Sequence, residues 1–200
     1  MLTISRDYEC VFWDFDGVLM DSNNVRTCAF RHSLENYPRS EVQELIIFHE
    51  LNGGLSRYVK FDHFFNNILK VKPSKETLDE CLRKFNDYCV SHLNDKKLLI
   101  SETKEMVFRL SSLNIDQHIT SGSDEEELNK LCNNLDIAKY FRTIKGSPVP
   151  KTENIKSVLM ELGYDLKKCV MIGDSINDRD AAASNGISFI PFGNNDLLSI

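Results

Sequence analysis

Cys10, Val11, Phe12 and Trp13 form a short apolar run, rich in aromatic and β-branched side chains, that follows Glu9 and stops abruptly at Asp14. A run of this length bounded by acids predicts a strand buried on both faces, as in a parallel sheet. From about residue 23 to 97 the strand signal disappears. Helical spacing takes its place, first through Phe61, Phe64, Phe65, Ile68 and Leu69, then through Leu78, Cys81, Leu82, Phe85 and Cys89, predicting roughly four helices. Alternation then returns. A helix is expected over 102–113, a strand near 117–120, a helix opened by the capping box Ser123-x-x-Glu126, and a strand near 142–145. A helix with Ile155, Val158, Leu159 and Leu162 on one face ends at Gly163, and strands over 168–172 and 188–191 enclose a short helix over 178–185. This order predicts an α/β fold, a Rossmann-like parallel sheet with helices on both faces, plus an inserted all-α unit. The joints fall near 20–24 and 95–101, dividing the chain into an α/β core (1–20 and 99–200) and a helical insertion (21–98). Ligands of such sheets bind beyond the carboxyl ends of the strands.

Length and charge narrow the field. Two hundred residues suffice for one core and a small appended module. A formal net charge of −6, without a Lys/Arg block, lacks the electrostatic footprint of a nucleic-acid or anionic-membrane binder. A small soluble partner is expected instead. The six cysteines include no C-x-x-C pair and the five histidines no H-x-x-x-H pair, so zinc-ligand spacing is missing. Reduced thiols, a charged N-terminus and the lack of a long apolar run predict a cytoplasmic protein. Oligomeric state is not legible.

Two strand exits carry carboxylates: Asp14-Phe15-Asp16-Gly17 and Gly173-Asp174-Ser175-Ile176-Asn177-Asp178. If the strands are neighbours, these acids meet, and like charges about 4 Å apart repel by roughly 4 kcal/mol even at an effective dielectric near 20. A hard divalent cation relieves that repulsion; Mg2+ fits, since it takes a few carboxylates and keeps room for water and a phosphate oxygen. Asp14 and Asp16, two residues apart in an extended segment, can serve one site. One carboxylate can attack phosphorus while the other exchanges protons with the leaving group and with water. The competing readings are a solvated turn or the start of a calcium loop for Asp14 and Asp16, and a helix N-cap for Asp178. Gly17 suits close packing at the strand exit, and Asp21 and Ser22 are candidate hydrogen-bonding groups at the joint.

Trp13-Asp14-Phe15-Asp16-Gly17-Val18-Leu19-Met20-Asp21-Ser22 resembles the first motif of the haloacid dehalogenase superfamily, and Val170-Met171-Ile172-Gly173-Asp174-Ser175-Ile176-Asn177-Asp178 its fourth. The resemblance extends over about residues 8–192. It implies Asp14 as nucleophile and Asp16 as acid and base, with Mg2+ held by Asp14, the Asp16 carbonyl, Asp174 and, directly or through support, Asp178. Its second motif, a Ser or Thr at a strand end, points to Ser121, with Thr120 as the register alternative. Backbone N–H groups there, including Gly122, would hold a phosphate oxygen. Its third, a lysine, points to Lys151 before a helix, with Lys145 as the alternative.

In that superfamily, a helical insertion between the first two motifs is a cap that covers the site. Gly54-Leu55-Ser56-Arg57 resembles the cap specificity loop of sugar-phosphate mutases and phosphatases, making Arg57 a substrate-binding candidate against a solvated loop arginine. Lys84 and Lys60 are further basic candidates in the insertion, each read first as a surface-exposed lysine. Phe61, Phe64 and Phe65 are expected in the cap core, and His49 and His63 as cap or surface histidines. The implied activity is hydrolysis of a small phosphorylated metabolite, such as a sugar phosphate. A β-phosphoglucomutase-like isomerase is the nearest rival, but Arg26 stands where that mutase has histidine and Gly173 where it has a carboxylate. A catalytically silent binding module is the rival of another class.

Overall fold

A computed structural model describes residues 7–193; residues 1–6 and 194–200 of the predicted core lie outside the described part. Five strands, β1 (Cys10–Trp13), β2 (Asp116–Asp124), β3 (Thr143–Ser147), β4 (Cys169–Gly173) and β5 (Ser188–Pro191), form one parallel sheet in the order β3-β2-β1-β4-β5. The strand order reverses at β1, which therefore has a neighbour on each side. That reversal opens a crevice beyond the strand ends.

Alternation along the strands divides the core. Val11 and Trp13 join Val170 and Ile172 on one face, covered by α5 (Ser101–Ser112) and α6 (Glu125–Asn134). Cys10 and Phe12 join Cys169 and Met171 on the other, under α7 (Lys151–Leu162) and α8 (Ile176–Ser184). Phe12 and Trp13 are 1% and 0% exposed, and full burial of such a side chain contributes about 1.5–3 kcal/mol. The Trp13 indole N–H donates to Gln117 Oε1 at 3.1 Å, so its polar edge is satisfied inside the core.

The insertion between β1 and β2 consists of α1 (Asn23–Ser33), α2 (Arg39–Leu51), α3 (Arg57–His63), which continues into a wider helical turn over Phe64–Ile68, and α4 (Lys75–Leu93). Phe30, Phe61, Phe64, Phe65 and Phe85 fill its interior, with the Phe30 and Phe85 ring centres 4.6 Å apart. Its two connections to the sheet are stitched together: the Asp21 N–H donates to the Leu98 carbonyl at 2.8 Å and the Ile100 N–H to the Leu19 carbonyl at 3.0 Å.

Several local expectations shift. β2 runs on to Asp124, four residues beyond the predicted end, so the next helix is capped by Asp124 and not by Ser123. The Asp124 carboxylate accepts from the N–H groups of Glu126 and Glu127, each at 3.1 Å. Ser123 is drawn away because its hydroxyl donates to Asp16 at 2.5 Å. Helix α8 begins two residues earlier than expected, with Ser175 as its N-cap and Asp178 reaching back as the second half of a capping box.

Candidate active site

Parallel register brings the critical strand ends level. Trp13 lies opposite Ile119 on β2 and Ile172 on β4, and the Asp14 N–H donates to the Ile172 carbonyl at 2.9 Å. Asp14 thus emerges between the 120–123 segment on one side and Gly173-Asp174 on the other. Carboxylate oxygens of Asp14, Asp174 and Asp178 all lie within 4.8 Å of one another. Gly17 permits this crowding: its φ is +79°, and a Cβ there would overlap the Asp174 carboxylate.

Lys151, at the start of α7, inserts its ammonium among the acids. Its Nζ lies 2.9 Å from Asp14 Oδ1 and also pairs with Asp178 Oδ1. Asp178 divides its two oxygens: one takes Lys151, while the other accepts from the Ser175 N–H at 3.0 Å and hydroxyl at 2.7 Å. Burial, followed by the charge of Asp178, raises the Asp14 carboxyl well above its usual range despite Lys151. The same two causes push Asp174 up to about 6. Burial opposes the Lys151 charge, but Asp14 and Asp178 outweigh it and hold the ammonium protonated. Three carboxylates against one ammonium leave two negative charges in excess when all are ionised. An oxygen-only donor set with that excess fits a hard divalent cation.

Asp16 has separate surroundings. One oxygen receives Arg26 Nε at 3.0 Å and the Ser22 hydroxyl at 2.5 Å, and the other receives Ser123. Burial alone would raise its pKa; Arg26 and the serine hydroxyls overcome that and hold it at about 2. The Asp16 side chain therefore faces Arg26 and the two serines, apart from the three-acid cluster.

A cavity of about 270 Å³ lies between these strand ends and the insertion. Asp14, Asp16, Ser121, Gly122 and Asp174 line it from the sheet side and Arg57 from the insertion. Ser121 is 1% exposed, and its hydroxyl accepts from the Ser123 N–H at 3.1 Å. Thr120, the register alternative, is buried and does not line the cavity. Lys145 does not line it either; its nearest acid is Glu125 at 4.0 Å. Gly122 meets the insertion directly, because a Cβ at that position would overlap the Gly54 carbonyl oxygen. Closure is reinforced by Asn177, whose amide donates to the Gly53 carbonyl at 2.6 Å, and by Tyr58, whose hydroxyl donates to Asp124 at 2.8 Å.

The basic residues of the insertion are distributed differently from expectation. Arg57 is 4% exposed, not a solvated loop residue: Nη2 lies 2.6 Å from Glu127 Oε2, Nη1 contacts Asn86, and the guanidinium stands 4.7 Å from the Phe85 ring centre. Lys84, a candidate for the substrate, is on an outward face of α4, where Glu35 at 3.1 Å and Glu80 at 3.6 Å hold it away from the cavity. Lys60, expected on the surface, is instead buried against the cavity, because the packing of α3 turns it inward. Glu127, at the start of α6, also receives Arg26 Nη1 at 2.5 Å. The sequence offered little to single it out, since Glu125-Glu126-Glu127 reads as a solvated acidic first turn.

The sequence matches the haloacid dehalogenase-like hydrolases over residues 11–192. It is 25% identical to the phosphoglycolate phosphatase of Neisseria meningitidis over 187 residues, covering 89% of this chain and 77% of that protein. It is 26% identical to the phosphorylated carbohydrates phosphatase of Thermotoga maritima over 189 residues, covering 91% and 83%. The crystal structure of β-phosphoglucomutase from Clostridium difficile superposes with a TM-score of 0.77 at 20% identity, covering 96% of this chain and 87% of that one; this likeness is one of fold. Among the described residues, no helix is long and apolar enough to cross a membrane.

Proposed function

Because the chain belongs to the haloacid dehalogenase-like hydrolase family, we propose that it is a magnesium-dependent phosphatase acting on a small phosphorylated metabolite, a sugar phosphate or similar organophosphate, through an aspartyl-phosphate on Asp14. What supports this reading most is the meeting of Asp14, Asp174 and Asp178 beside a single lysine, with Asp14 and Asp174 lining the cavity under the insertion. Asp14 and Asp174, with the Asp16 carbonyl, would hold the magnesium ion, and Asp178 would serve the site by holding Lys151. When bound, the ion supplies positive charge that lets a phosphoryl group approach a carboxylate and orients it.

The chain's own residues divide the remaining work. Asp14 attacks phosphorus in line, forming an acyl phosphate as the alcohol leaves. Asp16 gives a proton to the leaving oxygen, then takes one from the water that cleaves the intermediate. Its three donors keep it ionised in the resting state, so the proton it gives is first taken up from the phosphomonoester monoanion as the substrate oxygen displaces part of that hydrogen bonding, and the proton later taken from water leaves with the released phosphate. Lys151, Ser121 and the Gly122 N–H compensate charge on the phosphoryl oxygens. Residues 21–98 act as the cap that excludes water, over a core formed by 1–20 and 99–200.

The test is a phosphate-release screen over metabolite esters with and without magnesium, repeated with Asp14→Asn. Release that needs magnesium and disappears in a folded Asp14→Asn variant is expected. Retained turnover in that variant would overturn the nucleophile assignment.

A further inference from the structure

The insertion presents Arg26, His49, Arg57 and Lys60 to the cavity. Their partners set them apart. Arg26 is paired with Asp16 and Glu127, and Arg57 with Glu127, so two guanidinium groups face two carboxylates. Lys60 is 4% exposed, and no carboxylate among the described residues pairs with it. Its hydrogen bond is to His49, with Nζ 2.8 Å from Nδ1. Glu50, a further acid lining the cavity, is exposed and pairs with neither.

An ammonium has donors and no lone pair, so Nδ1 of His49 must accept and the ring proton resides on Nε2. Burial, reinforced by the Lys60 charge, presses the His49 ring down to about 3, keeping it neutral. Burial also presses the Lys60 ammonium down to about 7, against the pull of Asp16. Lys60 follows Arg57 by three residues on α3, placing both on one side of that helix. One N–H of Lys60 is engaged by His49. The others are available to an acceptor entering the cavity. A buried cation without a counter-charge is unfavourable in the free protein, and an anion arriving with the ligand relieves it.

We propose that Lys60, held by His49, receives a second anionic group of the substrate, so that the enzyme selects phosphomonoesters whose alcohol part itself bears a carboxylate or a further phosphate. The inference rests on the reading of Asp14 as the phosphoryl acceptor. Arg57, already neutralised by Glu127, shapes this pocket but does not supply its uncompensated charge.

The experiment compares kcat/KM, with magnesium present, within two matched pairs. Phosphoglycolate is set against 2-hydroxyethyl phosphate, and glucose 1,6-bisphosphate against glucose 6-phosphate, for the wild type, Lys60→Met and Lys60→Arg. The wild type is expected to favour the more anionic member of at least one pair by about ten-fold or more, and Lys60→Met to lose that preference. Which pair responds distinguishes carboxylate from phosphate. Lys60→Arg, which restores the charge, should recover part of the preference. Lys60→Met removes an unpaired buried charge but leaves His49 Nδ1 without its donor, so it should melt close to the wild type; a large fall in melting temperature would mark a purely structural lysine. Equal use of both members by the wild type, or a preference that survives Lys60→Met, overturns the inference alone. Absence of phosphate release from every ester overturns the phosphatase reading and this inference with it.

Discussion

Glu127 joins the insertion to the sheet through two buried arginines, and replacing it with glutamine removes the charge while preserving the shape. Its oxygens lie 2.5 Å from Arg26 Nη1 and 2.6 Å from Arg57 Nη2, with side-chain exposures of 12% for Glu127, 6% for Arg26 and 3% for Arg57. Removing one partner of a buried ion pair costs about 3–5 kcal/mol, because the stranded charge remains desolvated. Arg26 keeps Asp16 at 3.0 Å, so the loss concentrates on Arg57, which retains the Asn86 amide and the face of Phe85. The lower end, about 3 kcal/mol, is therefore expected for Glu127→Gln, a large share of the about 5–15 kcal/mol that stabilises an ordinary domain. Urea unfolding at neutral pH measures it. Arg57→Met combined with Glu127→Gln should cost less than the two single changes added together, since neither partner is then stranded. A loss below about 1 kcal/mol in Glu127→Gln, or simple additivity in the double variant, would refute the reasoning.

Two further perturbations follow from the packing and from titration. Gly122→Ala places a methyl group against the Gly54 carbonyl, so the insertion must withdraw; kcat/KM should fall by up to about 100-fold with a stability loss of about 1–3 kcal/mol, and a variant with wild-type kinetics would show that the contact is dispensable. His118 is fully buried between the hydroxyls of Thr143 at 2.8 Å and Tyr164 at 3.0 Å, and burial depresses its pKa to about 4. Between there and the ordinary value of about 6.5, the unfolded chain binds a proton that the native one does not, so its contribution to stability is present above that range and lost as pH falls through it, by about 3 kcal/mol in all. His118→Phe should flatten that part of the stability profile in urea titrations from about pH 7 to 4, and an unchanged slope would exclude His118 as its source.

The sheet and its acidic edge are legible because they are local patterns: an apolar run that ends at Asp14, another that ends before Asp174, and glycines where the chain must turn closely. Lys151 is also placed by its position before a helix. The roles of Glu127, Lys60 and Lys84 depend on how helices rotate against one another, which spacing alone does not fix. Glu125, Glu126 and Glu127 are interchangeable as sequence, yet the inward turn of α6 selects Glu127 for the two arginines. Lys60 and Lys84 both sit on helical faces, and tertiary packing buries the former while leaving the latter with surface acids. Ser123 and Asp124 compete for one helix cap, and Asp16 decides between them by claiming the serine hydroxyl.

The central position of β1 has a consequence for how the protein opens. Pairing on both edges means that the peptide groups leading to Asp14 are freed only when β2 and β4 both separate from it. Local openings of lower free energy fall elsewhere, in elements held by fewer such ladders. Asp14 thus follows a strand whose amides are expected among the slowest to exchange, together with those of β2 and β4, whereas the helices of the insertion can open without separating the sheet.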